Sequence, residues 1–434
     1  MSTVSTDAGD PGSRATGRFR AGRAAIVLSV LTLLASGVNY LSNLVFSRLL
    51  TPESYGDLTA LLALSVVIGV PLAAAQTRIA ERVAALSAAG DERRLRYTIR
   101  HALGHLAVVA AVCTAVYALA IPLVDDLFDL QAPGPAIALA PLLFVGFLFP
   151  VLYGTLQGLE RYVAFGLVLL AVALSRLLFG VPWVEAGGGA GGAIGGQAIG
   201  MAVCLLLLLW FLRGQYESTG EHAARSGMRR RPNVRAVIQG GAFVTFALLA
   251  NMDVVLAKLF LAPDEAGDYA ALATIGKIVT FLPAVAAVLI VPRVARAGPS
   301  ARARAGVLRR SAAFCLGAAL LAAVPAAIAP GPVVDVMFGD EYAGAESGVL
   351  PIVVAGAGLS LIYLLVVFTV TIEDLRWTLL PLAAVGLQVA GITAFHASAA
   401  EVAVVQAVVV TVVLLTNEVR FHSFLRPPSA ASGT

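Results

Sequence analysis

The sequence predicts an all-α integral membrane protein with twelve transmembrane helices, arranged as two six-helix bundles related by a parallel repeat. Three observations lead there. The 434 residues are 59% hydrophobic and 13% charged, about half the charge of an average soluble domain. The apolar residues gather into twelve runs of span length. A loop motif of the first half also returns in the second. The first two observations exclude a soluble enzyme and a disordered chain. Runs that are continuous rather than alternating exclude a barrel.

Spans are expected near 24–50, 57–77, 98–121, 136–158, 163–182, 192–212, 237–261, 268–291, 307–329, 349–371, 376–396 and 401–420. Residues 1–23 carry Arg14, Arg18, Arg20 and Arg23 among Gly, Ser and Pro, and read as a disordered cytoplasmic N-terminus. A cleavable signal peptide is the rival reading. The run from Ala24 to Leu50 is too long for an h-region of about 7–15 residues, so the first span is expected to be retained. The first bundle then covers 24–212 and the second 237–421. They are joined by an Arg-rich cytoplasmic linker, 213–236, and followed by a cytoplasmic tail, 422–434. Cys113, Cys204 and Cys315 all lie inside apolar runs and read as small buried hydrophobes, with no disulfide framework.

Charge tests the topology. With the N-terminus inside, all but four of the 30 Lys and Arg fall in cytoplasmic segments. The outside loops hold acids only, among them Glu53, Asp57, Asp125, Asp264, Asp268 and Asp340. So complete a positive-inside bias places both termini in the cytoplasm. The arginine clusters therefore report topology and contact with anionic membrane lipids, not nucleic acid.

The repeat is visible in two loops. Pro52-Glu53-Ser54-Tyr55-Gly56-Asp57-Leu58 matches Pro263-Asp264-Glu265-Ala266-Gly267-Asp268-Tyr269, with the proline, the glycine and the Asp57/Asp268 position in register. Pro122, Val124, Asp125 and Phe128 match Pro332, Val334, Asp335 and Phe338 at nearly the same offset. Six spans is an even number, so both halves enter from the same side and the pseudo-axis runs along the membrane normal. Halves of this kind rock about a central site, which points to secondary transport.

Arg48-Leu49-Leu50-Thr51-Pro52-Glu53-Ser54-Tyr55-Gly56 resembles the Arg-x-Leu-x-Pro-x-x-Tyr-Gly signature of bacterial polysaccharide (O-antigen) flippases, within the multidrug/oligosaccharidyl-lipid/polysaccharide exporter superfamily. Val336-Met337-Phe338-Gly339-Asp340-Glu341-Tyr342-Ala343-Gly344-Ala345 resembles a second segment of that family, Leu-Phe-Gly-x-x-Tyr-x-x-Ala. The resemblance implies an alternating-access flippase of the bacterial cytoplasmic membrane. Its cargo would be a polyprenyl-diphosphate-linked oligosaccharide for surface polysaccharide biosynthesis, with a polysaccharide polymerase or glycosyltransferases as partners. Related flippases for the peptidoglycan precursor carry two further C-terminal helices. Their lack here is expected to count against lipid II.

Four cations and one acid remain at membrane depth: Arg48, Arg176, Lys258, Lys277 and Asp253. Such groups are costly in a bilayer and usually face a cavity. A net charge of +3 suits a diphosphate, to which Arg offers paired hydrogen bonds and Lys a point charge. Arg48 and Lys258 lie near span ends, where snorkelling competes with substrate contact; Arg176 and Lys277 lie deeper. Asp253 and Lys258 are five residues apart, about 140° around a helix, so each is expected to find another partner. Asp253 is a candidate proton or sodium coupling site, or a counter-charge for one of the cations. Asn43 is a candidate sugar or phosphate contact, with interhelical hydrogen bonding as the alternative.

Other motifs have plainer readings. His101 and His105, one turn apart, fit interfacial placement better than a metal pair. The run 187–196 lacks the Gly-Lys-[Ser/Thr] ending of a phosphate loop. Gly188, Gly192, Gly196 and Gly200 instead form a small-residue stripe for helix packing. No catalytic constellation or nucleotide motif appears, so the chain is expected to be no enzyme and to need no cofactor beyond H+ or Na+ coupling. The competing readings are a multidrug and toxin extrusion-type cation antiporter, a glycosyltransferase and a non-transporting scaffold. The antiporter would want acids in the lumen, where this chain has one acid against four bases.

Overall fold

The computed structural model describes residues 11–216, 234–281, 301–371 and 379–421. Among these every regular element is helical. The first half holds α1 (Pro11–Leu49), α2 (Pro52–Ala88), α3 (Glu92–Phe128), α4 (Gly134–Gly158), α5 (Tyr162–Trp183) and α6 (Gly189–Tyr216). The second holds α7 (Val234–Leu249), α8 (Met252–Phe260), α9 (Pro263–Phe281), α10 (Ala301–Ile328), α11 (Pro330–Met337), α12 (Val349–Thr371), α13 (Leu379–Ala394) and α14 (Ala399–Phe421). Most of the expected linker, the tail, and parts of the expected spans 268–291 and 376–396 lie outside the described residues. The described part of α1, from Pro11, overlaps the stretch 1–23 that the sequence reading expected to be disordered.

Nine described helical stretches are long and apolar enough to cross a membrane, against the twelve spans expected. Two of the expected spans fall within Tyr162–Arg213, where the chain kinks between α5 and α6 at Gly187 (φ +88°) and Gly189 (φ +53°), both outside the right-handed helical region. Leu380–Ala394 is apolar but shorter. Helix α9 carries Asp264, Glu265, Asp268 and Lys277 within its 19 residues. The expected span 237–261 is broken into α7 and α8 at Asn251, whose φ of −138° leaves the helical region.

Local chemistry explains the ends and the close packing. The Thr51 side chain accepts the Ser54 N–H at 3.4 Å and Pro52 occupies the first turn, so α2 starts where the motif sits. The glycine stripe of α6 lies against α5. A Cβ on Gly196 would meet the Gly180 backbone at 2.5 Å, and one on Gly200 would meet Ser175 Oγ at 2.6 Å. Only glycine admits this approach, which holds the Ser175–Arg176 turn of α5 against its neighbours.

The cores show how the halves meet. The largest apolar cluster draws on both: Phe46, Tyr55, Leu139 and Ile194 from the first, Val255, Tyr269, Val349 and Val402 from the second. All lie toward the end that carries Pro52 and Pro263. At the opposite end the cores are separate among the described residues, one built from Phe246, Leu308, Ile362 and Val409, the others from Leu152, Leu208, Val83 and Ile99. There α2 approaches α7, with a Cβ on Gly240 3.8 Å from Ala74. At the joined end Gly56 and Gly267, matched in the sequence repeat, face each other directly. A Cβ on Gly56 would lie 3.1 Å from the Gly267 nitrogen, and one on Gly267 would overlap the Pro52 carbonyl.

Candidate functional site

The break between α7 and α8 builds the site. It frees the Leu249 carbonyl, which then accepts from Gln388 Nε2 at 3.0 Å and Gln406 Nε2 at 3.1 Å; both glutamines are fully buried. Gln388 also donates to Gln406 Oε1 at 2.6 Å. A helix end at membrane depth must find such donors, because hydrocarbon supplies none. The break also puts Asp253 in the first turn of α8, at the positive end of the helix dipole.

Asp253 is 4% exposed. Its Oδ2 accepts from the Tyr269 hydroxyl at 2.8 Å, while Oδ1 has no hydrogen-bond partner among the described residues. Lys277 lies within electrostatic reach of it. Asp253, Lys277, Thr280 and Gln406 line an enclosed cavity of about 10 Å³, room for roughly one water. The main chain at Lys277 is held by the first half, through Tyr40 Oη donating to its carbonyl at 2.9 Å.

Arg176 completes the cluster from α5. It is 8% exposed and within electrostatic reach of both Lys277 and Tyr55. Its Cζ sits 5.5 Å from the Phe46 ring centroid, a cation–π contact. Nε and Nη2 are buried with no acceptor among the described residues. Guanidinium is the side chain best shaped for a phosphate, and here two of its donors are buried without partners.

The remaining candidates sit elsewhere. Lys258 Nζ pairs with Asp57 Oδ1 at 2.7 Å, with both side chains 2% exposed. The Asp57–Lys258 pair joins α2 to α8, and Asp57 Oδ2 also accepts the Gln131 N–H at 3.4 Å. Asp57 is thus no exposed loop acid, as the charge count had it, but a buried counter-ion. The 140° separation of Asp253 and Lys258 is met by two different partners, Tyr269 and Asp57. Arg48 is exposed and donates through Nη2 to the Asp335 and Val336 carbonyls at 3.3 and 2.5 Å, and through Nε to that of Met337 at 3.4 Å. It caps the C-terminal end of α11, whose carbonyls carry the negative end of the dipole. Asn43 is half-buried on α1 and does not line the cavity.

The cluster therefore holds Arg176, Lys277 and Asp253, a net charge of +1 in place of the +3 expected; Lys258 is neutralised by Asp57. The sequence reading missed Gln388 and Gln406, although each is a lone amide in an apolar run and so costly unless bonded. It quoted Tyr55, Asp57 and Tyr269 within its motifs without giving them a role. Their partners lie far along the chain.

Residues 21–297 match a family described as polysaccharide biosynthesis protein. Among solved structures, the lipid II flippase MurJ in an inward closed conformation superposes with a TM-score of 0.72 at 9% identity, over 92% of this chain and 89% of that one. An inward-facing multidrug resistance MATE family transporter of the MOP superfamily gives 0.69 at 14% identity, over 93% and 100%. A MOP superfamily transporter from Pyrococcus furiosus, described by the reverse polarity of its binding pocket, gives 0.57 at 14%, over 94% and 97%. No curated protein gives a match. At these identities the likeness to the solved structures is one of fold.

Proposed function

Because the chain belongs to the polysaccharide biosynthesis family and is a multi-pass membrane protein with the transporter fold of the MOP superfamily, we propose that it is an alternating-access flippase for a polyprenyl-diphosphate-linked oligosaccharide in the bacterial cytoplasmic membrane. The observation that carries this reading is Arg176, buried within electrostatic reach of Lys277 and with two donors unpartnered among the described residues. Holding an uncompensated guanidinium out of water costs several kcal/mol. A diphosphate entering between the halves would supply the missing acceptors, with Lys277 adding a second positive charge.

In this reading residues 24–212 and 237–421 are the two rocking bundles of six spans each, and both termini lie in the cytoplasm. Substrate enters where the cores are separate, since the enclosed cavity is far too small for a sugar. Asp253, with one free carboxylate oxygen beside Lys277, is the site for a coupling proton or sodium ion. That same acid is the feature an antiporter for cationic drugs would use. The two cations beside it repel such cargo, so the anionic substrate is preferred.

The test is ligand linkage on purified protein. Polyprenyl-diphosphate sugars should raise the unfolding temperature, cationic dyes should not, and Arg176→Met should abolish the shift. Stabilisation by dyes alone would overturn the proposal.

A further inference from the structure

Two stretches quoted for their sequence pattern, 48–58 and 332–345, lie far apart in the chain and do not line the cavity just described. They touch each other. Arg48 at the end of α1 caps α11 through the Asp335, Val336 and Met337 carbonyls. Tyr342, fully buried, donates to the Ser47 carbonyl at 3.0 Å. Its ring meets that of Tyr55 edge-on at 6.0 Å. The Tyr55 hydroxyl is in turn bonded to Thr274 Oγ1 at 2.9 Å. Beneath them the Asp57–Lys258 pair crosses from α2 to α8, and Gly56 lies against Gly267.

Every one of these contacts joins the first half to the second, and all lie at the end where the halves share a core. Most of the partners are polar or charged. They are set into the apolar core that the halves share at this end, and each can exchange its partner for water when the halves part. An ion pair taken out of water gains little net stability when it forms, yet is costly to leave half-made. It therefore favours two discrete states, closed and paired or open and hydrated, over intermediate ones.

We infer that the two motif stretches form a releasable latch between the halves, with Asp57–Lys258 as its charged pin, and that breaking the latch opens the Pro52/Pro263 end. By the positive-inside rule this is the outer end, so the latch holds the transporter closed to the outside. The inference concerns access, and it stands whatever the cargo.

The experiment reads distance rather than transport, so its failure is separable from failure of the flippase reading. Cys113, Cys204 and Cys315 are replaced by Ala, and spin labels are placed at Ala132→Cys and Ala397→Cys, both exposed at the latched end on opposite halves. The full chain in lipid nanodiscs should give a single narrow distance. Tyr342→Phe, which keeps the ring and loses only the bond to Ser47, should raise the open-to-closed ratio about three- to tenfold. Lys258→Met should raise it more. The exchange Asp57→Lys with Lys258→Asp should narrow the distribution again. Unchanged distances in Tyr342→Phe and Lys258→Met would overturn the latch. So would equal widening in Arg309→Ala, which lies at the opposite end.

Discussion

Replacing Arg176 with Met should make the protein more stable and inactive. The guanidinium is 8% exposed, and its Nε and Nη2 have no acceptor among the described residues. Each stranded donor costs about 1–3 kcal/mol, so two cost about 4 kcal/mol at the midpoint. Against this stands the cation–π contact with Phe46 at 5.5 Å, worth about 2 kcal/mol when desolvated. Methionine keeps most of the apolar stem, so little packing is lost. The balance favours the variant by about 2 kcal/mol, on the sum of these contributions. A side chain retained at such a cost is retained for what it binds, a trade of stability for function. The assays are thermal unfolding of purified protein in nanodiscs and export of surface polysaccharide in cells. A variant less stable than the parent, or one that still exports, would refute the reasoning. The first result would mean that Arg176 holds the fold, the second that it does not touch the cargo.

Two further outcomes follow from the buried contacts. Lys258→Met leaves Asp57 charged and alone and should destabilise by about 3–5 kcal/mol. The double variant Asp57→Asn/Lys258→Met should recover most of that loss, and a double-mutant cycle in thermal unfolding measures the coupling. Gln388→Leu together with Gln406→Leu strands the Leu249 carbonyl at the α7–α8 break and should cost about 1–3 kcal/mol. Either single change should cost less, because the other glutamine still donates; unfolding midpoints that rank otherwise would show that the carbonyl finds water instead.

Much of this protein was legible before any fold was drawn, because membrane insertion is decided by local chemistry. Continuous apolar runs are properties of short windows, and helices stand over the expected ranges as far as the structure describes them, with the span 237–261 interrupted at Asn251. The glycine stripe of α6 announced a close helix contact for the same reason, since a missing Cβ has one consequence wherever it occurs. The break at Asn251 was not legible. Apolar periodicity runs through it unbroken, and what permits it is a pair of glutamines from distant helices.

The sequence by itself thus determined the solvent this chain folds in, the stretches that become helices and the short list of charges that must be explained at membrane depth. Only the tertiary structure decided which of those charges are spoken for. Lys258 is neutralised by Asp57 and Arg48 is absorbed in capping α11, while Arg176, near Lys277 and Asp253, keeps two donors without acceptors among the described residues. Helical periodicity says which way a side chain points from its own axis, but the identity of the neighbour it meets depends on how separate helices pack, and that is a long-range property no short window carries.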